Sequence, residues 1–368
     1  MNISVLKEIK EDEYRVGMTP GSAGEYIRLG HRVLVESGAG VGSGFSDAAY
    51  VESGCQVESQ KEKLFDFAEM IVKVKEPLPA EYPSFREGQI LFTYLHLASS
   101  RGLTEFLLRK HIFSIAYETI REKDGSLPLL KPMSEIAGRL AVQEGAKCLE
   151  KPAGGKGLLL GGVPGVSKGL VAIVGGGVVG MNAAKMAVGL GARVAVLDIS
   201  LERLAYYDDL FGNSVQTLYA DPLTLGATLR EADLVIGAVL VPGGAAPKLI
   251  RRDHLPTMKK GSVLVDVAID QGGCAETSRP TSHSAPTYVV DEVLHYCVAN
   301  IPGAVPLTST WALSNVTHRY GLQIAGLGAE KAAQHSDAIR QGVNTCRGEL
   351  KIKAVAEAHG LPWTSWDN

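Results

Sequence analysis

The stretch from Val171 to Asp198, VAIVGGGVVGMNAAKMAVGLGARVAVLD, constrains this chain most. The apolar run Val171 to Val174 predicts a buried strand. It breaks into Gly175, Gly177 and Gly180 at Gly-x-Gly-x-x-Gly spacing, with Val178 and Val179 between the last two. An Ala- and Met-rich helix, Met181 to Leu190, is expected next, then a second strand from Arg193 to Leu197 that ends at Asp198. Each part suits a dinucleotide. Gly175 permits a tight turn, Gly177 lets backbone approach a pyrophosphate, and Gly180 lets helix and strand pack closely. The pyrophosphate would rest on the free N–H groups of the helix start. Asp198 lies 18 residues past Gly180, where a carboxylate accepts the adenosine ribose hydroxyls and repels the extra phosphate of NADP. NAD is therefore the expected cofactor.

A glycine triplet alone is weak evidence, because loops collect glycine for turn geometry. Here the flanking strands, the helix and the terminal acid agree. The glycine-dense stretch Gly38 to Gly44 has no such frame and reads as a loop.

The chain has 368 residues, 45% of them hydrophobic, enough for two globular domains. Strand and helix signals alternate, as parallel sheets require. The fold class expected is α/β: two Rossmann-like domains with parallel sheets, a cleft between them, and C-terminal helices returning to the first domain. The first domain is expected over residues 1–128 plus 306–368, and the nucleotide domain over 129–305. In the first domain, strands are expected at Ile3 to Ile9, Arg32 to Glu36, Met70 to Lys75, Gln89 to Leu95 and Ile112 to Glu118. Thr19-Pro20 predicts a capped helix start. In the second, strands are expected near Val215 to Tyr219, Asp233 to Val239 and Ser262 to Ala268. Ser309 to His359 is expected to be helical throughout.

A net charge of −3 gives no reason to expect nucleic acid or an anionic membrane as partner. Five scattered cysteines without Cys-x-x-Cys spacing suggest free thiols in a reducing compartment. The charged start MNISVLKEIK is not expected to be a signal peptide, and the longest apolar region is too glycine-rich to span a bilayer. A cytoplasmic location is the expectation. The nine histidines form no ligand pattern, so no metal is expected.

In open α/β sheets ligands bind beyond the carboxyl ends of the strands. Arg15, Lys75 and His96 follow expected strand ends in the first domain. Asp270 follows one in the second, and Asn300 lies in a closing loop. Two cations, an imidazole and a carboxylate suit a small carboxylic acid undergoing hydride transfer. Each has a plainer reading. Arg15 in EDEYR could be an exposed ion pair, Lys73 and Lys75 could mark an exposed sheet face, and His96 could be a satisfied core histidine.

The chain resembles bacterial L-alanine dehydrogenases in KEIKEDEYRVGMTP, IVKVKEP, LFTYLHLA, KPMSEIAGRLAVQEGA, GGVPGV, IVGGGVVGMNAAKMAVGLGA, VDVAIDQGG and YCVANIPGAVPLTST, in family order across nearly its whole length. The resemblance implies reversible, NAD-dependent oxidative deamination of L-alanine to pyruvate and ammonia, and a homohexamer. It implies that Arg15 and Lys75 bind substrate, and that His96 and Asp270 are catalytic. It implies NAD contacts at Ser134, Val178, Asp198, Arg203, Val239, Val267 and Asn300. Ala220 stands where some relatives have a serine near the adenine. The nearest rival is the soluble NAD(H)-binding subunit of a proton-translocating transhydrogenase, which passes hydride to a partner and has no amino-acid substrate. Saccharopine dehydrogenase, with its larger substrate, is a second.

Overall fold

The computed structural model describes residues 1–239 and 246–366. Two compact units emerge: Met1–Met133 together with the chain from Val305 onward, and Ser134–Ala304. The first break falls between Met133 and Ser134, five residues beyond the expected boundary at 128. One reason is that the backbone there is still tied to the first unit, with Tyr94 donating its hydroxyl proton to Leu129 O at 2.6 Å.

The first unit starts with β1 (Asn2–Val5), α1 (Pro20–Arg28), β2 (Arg32–Glu36), α2 (Asp47–Glu52), β3 (Gln56–Glu58), α3 (Lys61–Phe67), β4 (Met70–Val72), β5 (Ile90–Thr93), α4 (Arg101–Arg109) and β6 (Phe113–Ala116). Thr19 caps α1, its hydroxyl accepting the Ser22 amide, and Pro20 occupies the first helical position. Strands β1 to β6 run parallel in the order β6-β5-β4-β1-β2-β3, so the order reverses between β1 and β4. Strands β1, β4, β5 and β6 are all shorter than the apolar runs predict. Beyond β4 and β5, amides turn from neighbouring strands to side-chain carboxylates. Leu6, Ile71, Leu91, Phe106 and Leu107 are buried together in one core of this unit.

The second unit contains most of α5 (Lys131–Cys148), then β7 (Leu170–Val174), α6 (Val178–Gly189), β8 (Arg193–Asp198), α7 (Leu201–Phe211), β9 (Gln216–Tyr219), α8 (Pro222–Glu231), β10 (Leu234–Gly237), β11 (Val263–Asp266), β12 (Thr287–Val290) and β13 (Val293–Tyr296). Its sheet order is β12-β13-β11-β10-β7-β8-β9, reversing between β7 and β10. Only β12 is antiparallel, joined to β13 through Asp291 and Glu292, both at positive φ, as a two-residue hairpin requires. Val174, Leu197, Val235 and Leu264 form the core beneath it.

The C-terminal segment departs from the all-helical expectation. It has α9 (Pro306–Leu327), α10 (Ala329–His335) and α11 (Asp337–Gly342), then two strands, β14 (Val343–Cys346) and β15 (Glu349–Leu350), before α12 (Lys353–His359). β14 adds antiparallel to β6, and β15 completes an eight-stranded sheet. Two local causes are visible. Arg347 and Gly348 both take positive φ in the turn. Thr345 Oγ1 lies 2.7 Å from Ser114 Oγ and donates to Ile112 O at 2.8 Å, fastening β14 to the edge. Both sheets are thus mostly, not wholly, parallel. Among the described residues no helix is long and apolar enough to cross a membrane.

Candidate active site

In the first unit the residues of interest gather at the carboxyl ends of β1, β4, β5 and β6, beside the point where strand order reverses. That is where ligands settle in sheets of this kind.

Arg15 sits in the segment after β1. It is not an exposed pair: its side chain is 2% exposed and that of Glu13 is fully buried. Nε donates to Glu13 Oε1 at 2.6 Å and Nη2 to Oε2 at 2.5 Å, while Nη1 points at Met133 Sδ at 3.1 Å. Burial opposes the charge, but Glu13 outweighs it and leaves the guanidinium more firmly protonated than usual. A carboxylate locks this fork in one orientation.

The reading of Lys73 and Lys75 as an exposed face is overturned, because both are buried. Lys73 pairs with Glu8 at 3.1 Å and Glu81 at 3.0 Å. Burial disfavours the ammonium, but the two carboxylates prevail and raise its pKa. Burial raises Glu8, against the pull of Lys73. Glu8 Oε1 also accepts the amides of Val74 at 2.6 Å and Lys75 at 3.1 Å. The structural cation of the pair is therefore Lys73, and its carboxylate partner fixes the backbone from which Lys75 projects. Glu76 stays ionised because Lys75 and Lys10 overcome its burial, with a smaller contribution from His96. Its Oε2 is buried with no hydrogen-bond partner among the described residues.

His96 is exposed, which rules out the core-histidine reading. It follows β5 with φ of 50°, a left-handed conformation uncommon for a residue with a Cβ. Its ring stacks on that of Tyr94, centroids 5.9 Å apart and planes 7° from parallel.

In the second unit the glycine turn follows β7. Gly175 has φ of 105°, and a Cβ on Gly180 would collide with the Gly175 carbonyl oxygen. Helix α6 starts directly after Gly177, earlier than the apolar pattern predicts, so Val178 and Val179 form its first turn. Among the described residues Gly177 has no capping side chain, and a Cβ there would meet nothing within 4 Å. Open space above uncapped helical amides fits an anionic pyrophosphate. Asp198 ends β8 and is buried, accepting Gly176 N at 2.7 Å and Ser200 N at 2.8 Å. Arg203, largely exposed, lies 3.6 Å from it. Ala220 follows β9 and donates its amide to Asp198 O, which keeps it close to the acid.

Val239 follows β10, and Val267 and the exposed Asp270 lie in the helical turn after β11. That turn is held by the fully buried Asp266, which accepts from Ala268 N, Cys274 N, Ala275 N and Ser278 Oγ. Asn300 has φ of 71°, and its carbonyl accepts Gly303 N at 2.8 Å. Ser134 lies in the first turn of α5, and one turn on a Cβ at Gly138 would strike the Val179 carbonyl oxygen, so this helix packs against the start of α6.

The strand-end rule therefore brings Arg15, Lys75 and His96 to one edge, and Asp198, Val239, Val267 and Asp270 to the corresponding edge of the other sheet. Glu8, Glu13, Glu118 and Asp266, which hold these residues in place, have no sequence signature. They bond backbone or a near neighbour, and acidic residues that do so have no distinctive spacing.

Residues 4–137 match the N-terminal domain model of the alanine dehydrogenase/PNT family, and residues 141–353 match its C-terminal domain model. The alanine dehydrogenase of Methanococcus maripaludis is 54% identical over 99% of this chain and 98% of its own. That of Bacillus subtilis is 55% identical over 99% and 96%. A solved L-alanine dehydrogenase superposes with a TM-score of 0.95 at 52% identity, covering 98% of this chain and 99% of that one. A transhydrogenase from Sinorhizobium meliloti shares the fold, with a TM-score of 0.82 at 22% identity over 95% of this chain and 99% of its own. With both domain models matched in order and relatives this similar from end to end, the chain belongs to the alanine dehydrogenase/PNT family.

Proposed function

We propose that this protein catalyses the reversible, NAD-dependent oxidative deamination of L-alanine to pyruvate and ammonia. It is an oxidoreductase acting on an amino acid. The observation that carries this reading is identity above 50% with alanine dehydrogenases along essentially the whole chain. The transhydrogenase likeness, at 22% identity, speaks for the fold alone.

NAD, when bound, accepts the hydride released from the substrate Cα. The glycine turn, Val178, Val179 and Asp198 would hold its pyrophosphate and ribose. Ser134, Arg203, Val239, Val267 and Asn300 are further contacts in this proposal. Arg15 and Lys75 hold the substrate carboxylate and the developing carbonyl, Arg15 through a fork already oriented by Glu13. Oxidation leaves an iminium, to which water adds before ammonia departs. His96 moves the protons of those steps, since imidazole changes charge near neutral pH. Asp270 is the second catalytic group. Assembly as a homohexamer belongs to the same proposal. So does a cytoplasmic location, for which five buried, unbridged cysteines are the support.

The test is NADH formation with L-alanine, L-serine, glycine, L-lysine and no substrate. Turnover with small amino acids alone is expected. No turnover with any of them would favour a module that passes hydride to a partner protein.

A further inference from the structure

The His96 imidazole has little of its own to hold it. Among the described residues no group hydrogen-bonds either ring nitrogen, and the ring meets Tyr94 only face to face. Its aim is therefore set by the backbone beneath it, which is in the left-handed region. There the Cβ crowds the following carbonyl, so an L-residue tends to relax elsewhere unless it is held. Two contacts hold it. Ser99 donates both its amide, at 3.0 Å, and its hydroxyl, at 2.8 Å, to the His96 carbonyl. On the other side Glu118, in the turn after β6, takes the amides: Oε1 accepts His96 N at 2.7 Å and Leu95 N at 3.1 Å, and Oε2 lies 3.3 Å from Leu95 N.

No basic side chain pairs with Glu118 among the described residues, so its hydrogen bonding is spent on those two amides. Charge-assisted bonds of this kind are about twice as strong as neutral ones. The same device occurs one strand away, where Glu8 accepts the amides of Val74 and Lys75. Glu8 also serves Lys73, however, and so has a second, structural duty.

We infer that Glu118 is a positioning residue for the reaction, acting through the backbone of His96 to aim its imidazole. The inference rests on the role proposed above for His96. A displacement of about 1 Å in a reacting group can cost on the order of 10²-fold in rate.

The test is a double-mutant cycle with Glu118→Gln and His96→Ala, reading deamination kcat, the alanine KM and NADH binding by fluorescence. Glu118→Gln removes the charge and one acceptor at little change in volume. In the wild-type background kcat is expected to fall by about tenfold or more, with NADH binding unchanged. In the His96→Ala background the same substitution should change kcat by less than about twofold, since a group acting through an absent imidazole has nothing left to affect. Equal losses in the two backgrounds, or no loss in the first, would overturn the inference and leave His96 in place. If His96→Ala is itself fully active, the role of His96 fails first. Should Glu118→Gln not fold, Glu118→Asp keeps the charge but draws the carboxylate back, and its loss must likewise vanish in the His96→Ala background for the inference to stand.

Discussion

Asp198 Oδ2 accepts the amide of Gly176 at 2.7 Å, so the acid that ends β8 also braces the glycine turn that ends β7. A substitution there disturbs both the ribose contact and the turn. NAD should be preferred over NADP, and Asp198→Ala should narrow that preference by about tenfold or more, about 1.4 kcal/mol or above. NAD efficiency should fall alongside. Comparison of kcat/KM for both cofactors checks this, and equal use of the two by the unaltered protein would remove Asp198 from the role.

Two glycines of the turn should fail in different ways. Gly180→Ala forces a methyl against the Gly175 carbonyl, so thermal stability and NADH binding should drop together. Gly177→Ala meets no atom of the described residues within 4 Å, so stability should change little while NADH binding is lost to the occupied space. Melting curves with and without NADH separate the cases. Unchanged NADH affinity in Gly177→Ala would place the pyrophosphate elsewhere.

Arg15→Lys keeps a charge but cannot match both oxygens of Glu13 as the fork does. Apparent constants for alanine and pyruvate should rise, with NADH fluorescence titrations near wild type. Equal weakening of NADH binding would take Arg15 out of the substrate pocket.

His96→Ala should lose on the order of 10²–10⁴ in deamination rate, the usual contribution of a general acid or base. NADH binding should survive, and the pH–rate profile should lose a limb. Retention of both rate and limb would shift the proton transfers to another group, with Asp270 next to be tested.

Lys73→Met leaves Glu8 and Glu81 buried without their shared ammonium, and breaking such a pair costs about 3–5 kcal/mol. The pH dependence has a definite sign. Burial already raises Glu8, so the native state holds its proton more tightly than the unfolded chain, and this term's stability is lost as pH rises through the raised value. Without Lys73 the shift should grow. The deficit against wild type should therefore be largest at neutral pH and shrink toward the acidic carboxylate range. Urea melts across that range read it directly, and a deficit independent of pH would contradict it.

By itself, the sequence determined the local elements and the ends at which chemistry could sit. Apolar runs specify strands through burial, the Thr19-Pro20 pair specifies a helix start, and the glycine spacing specifies a turn that needs glycine at Gly175 and Gly180. These signals are short-range, so they can be read along the chain. Tertiary structure decided what those signals could not. Whether Lys73 or Lys75 is the structural cation depends on Glu8 and Glu81, brought in from other segments. Whether the tail stays helical depends on Ser114 and Ile112 receiving Thr345 at the edge of β6. Whether His96 is aimed depends on Glu118, 22 residues away and one strand over. A buried charge or an open sheet edge takes the partner that folding delivers, and that partner's place in the sequence carries no local pattern.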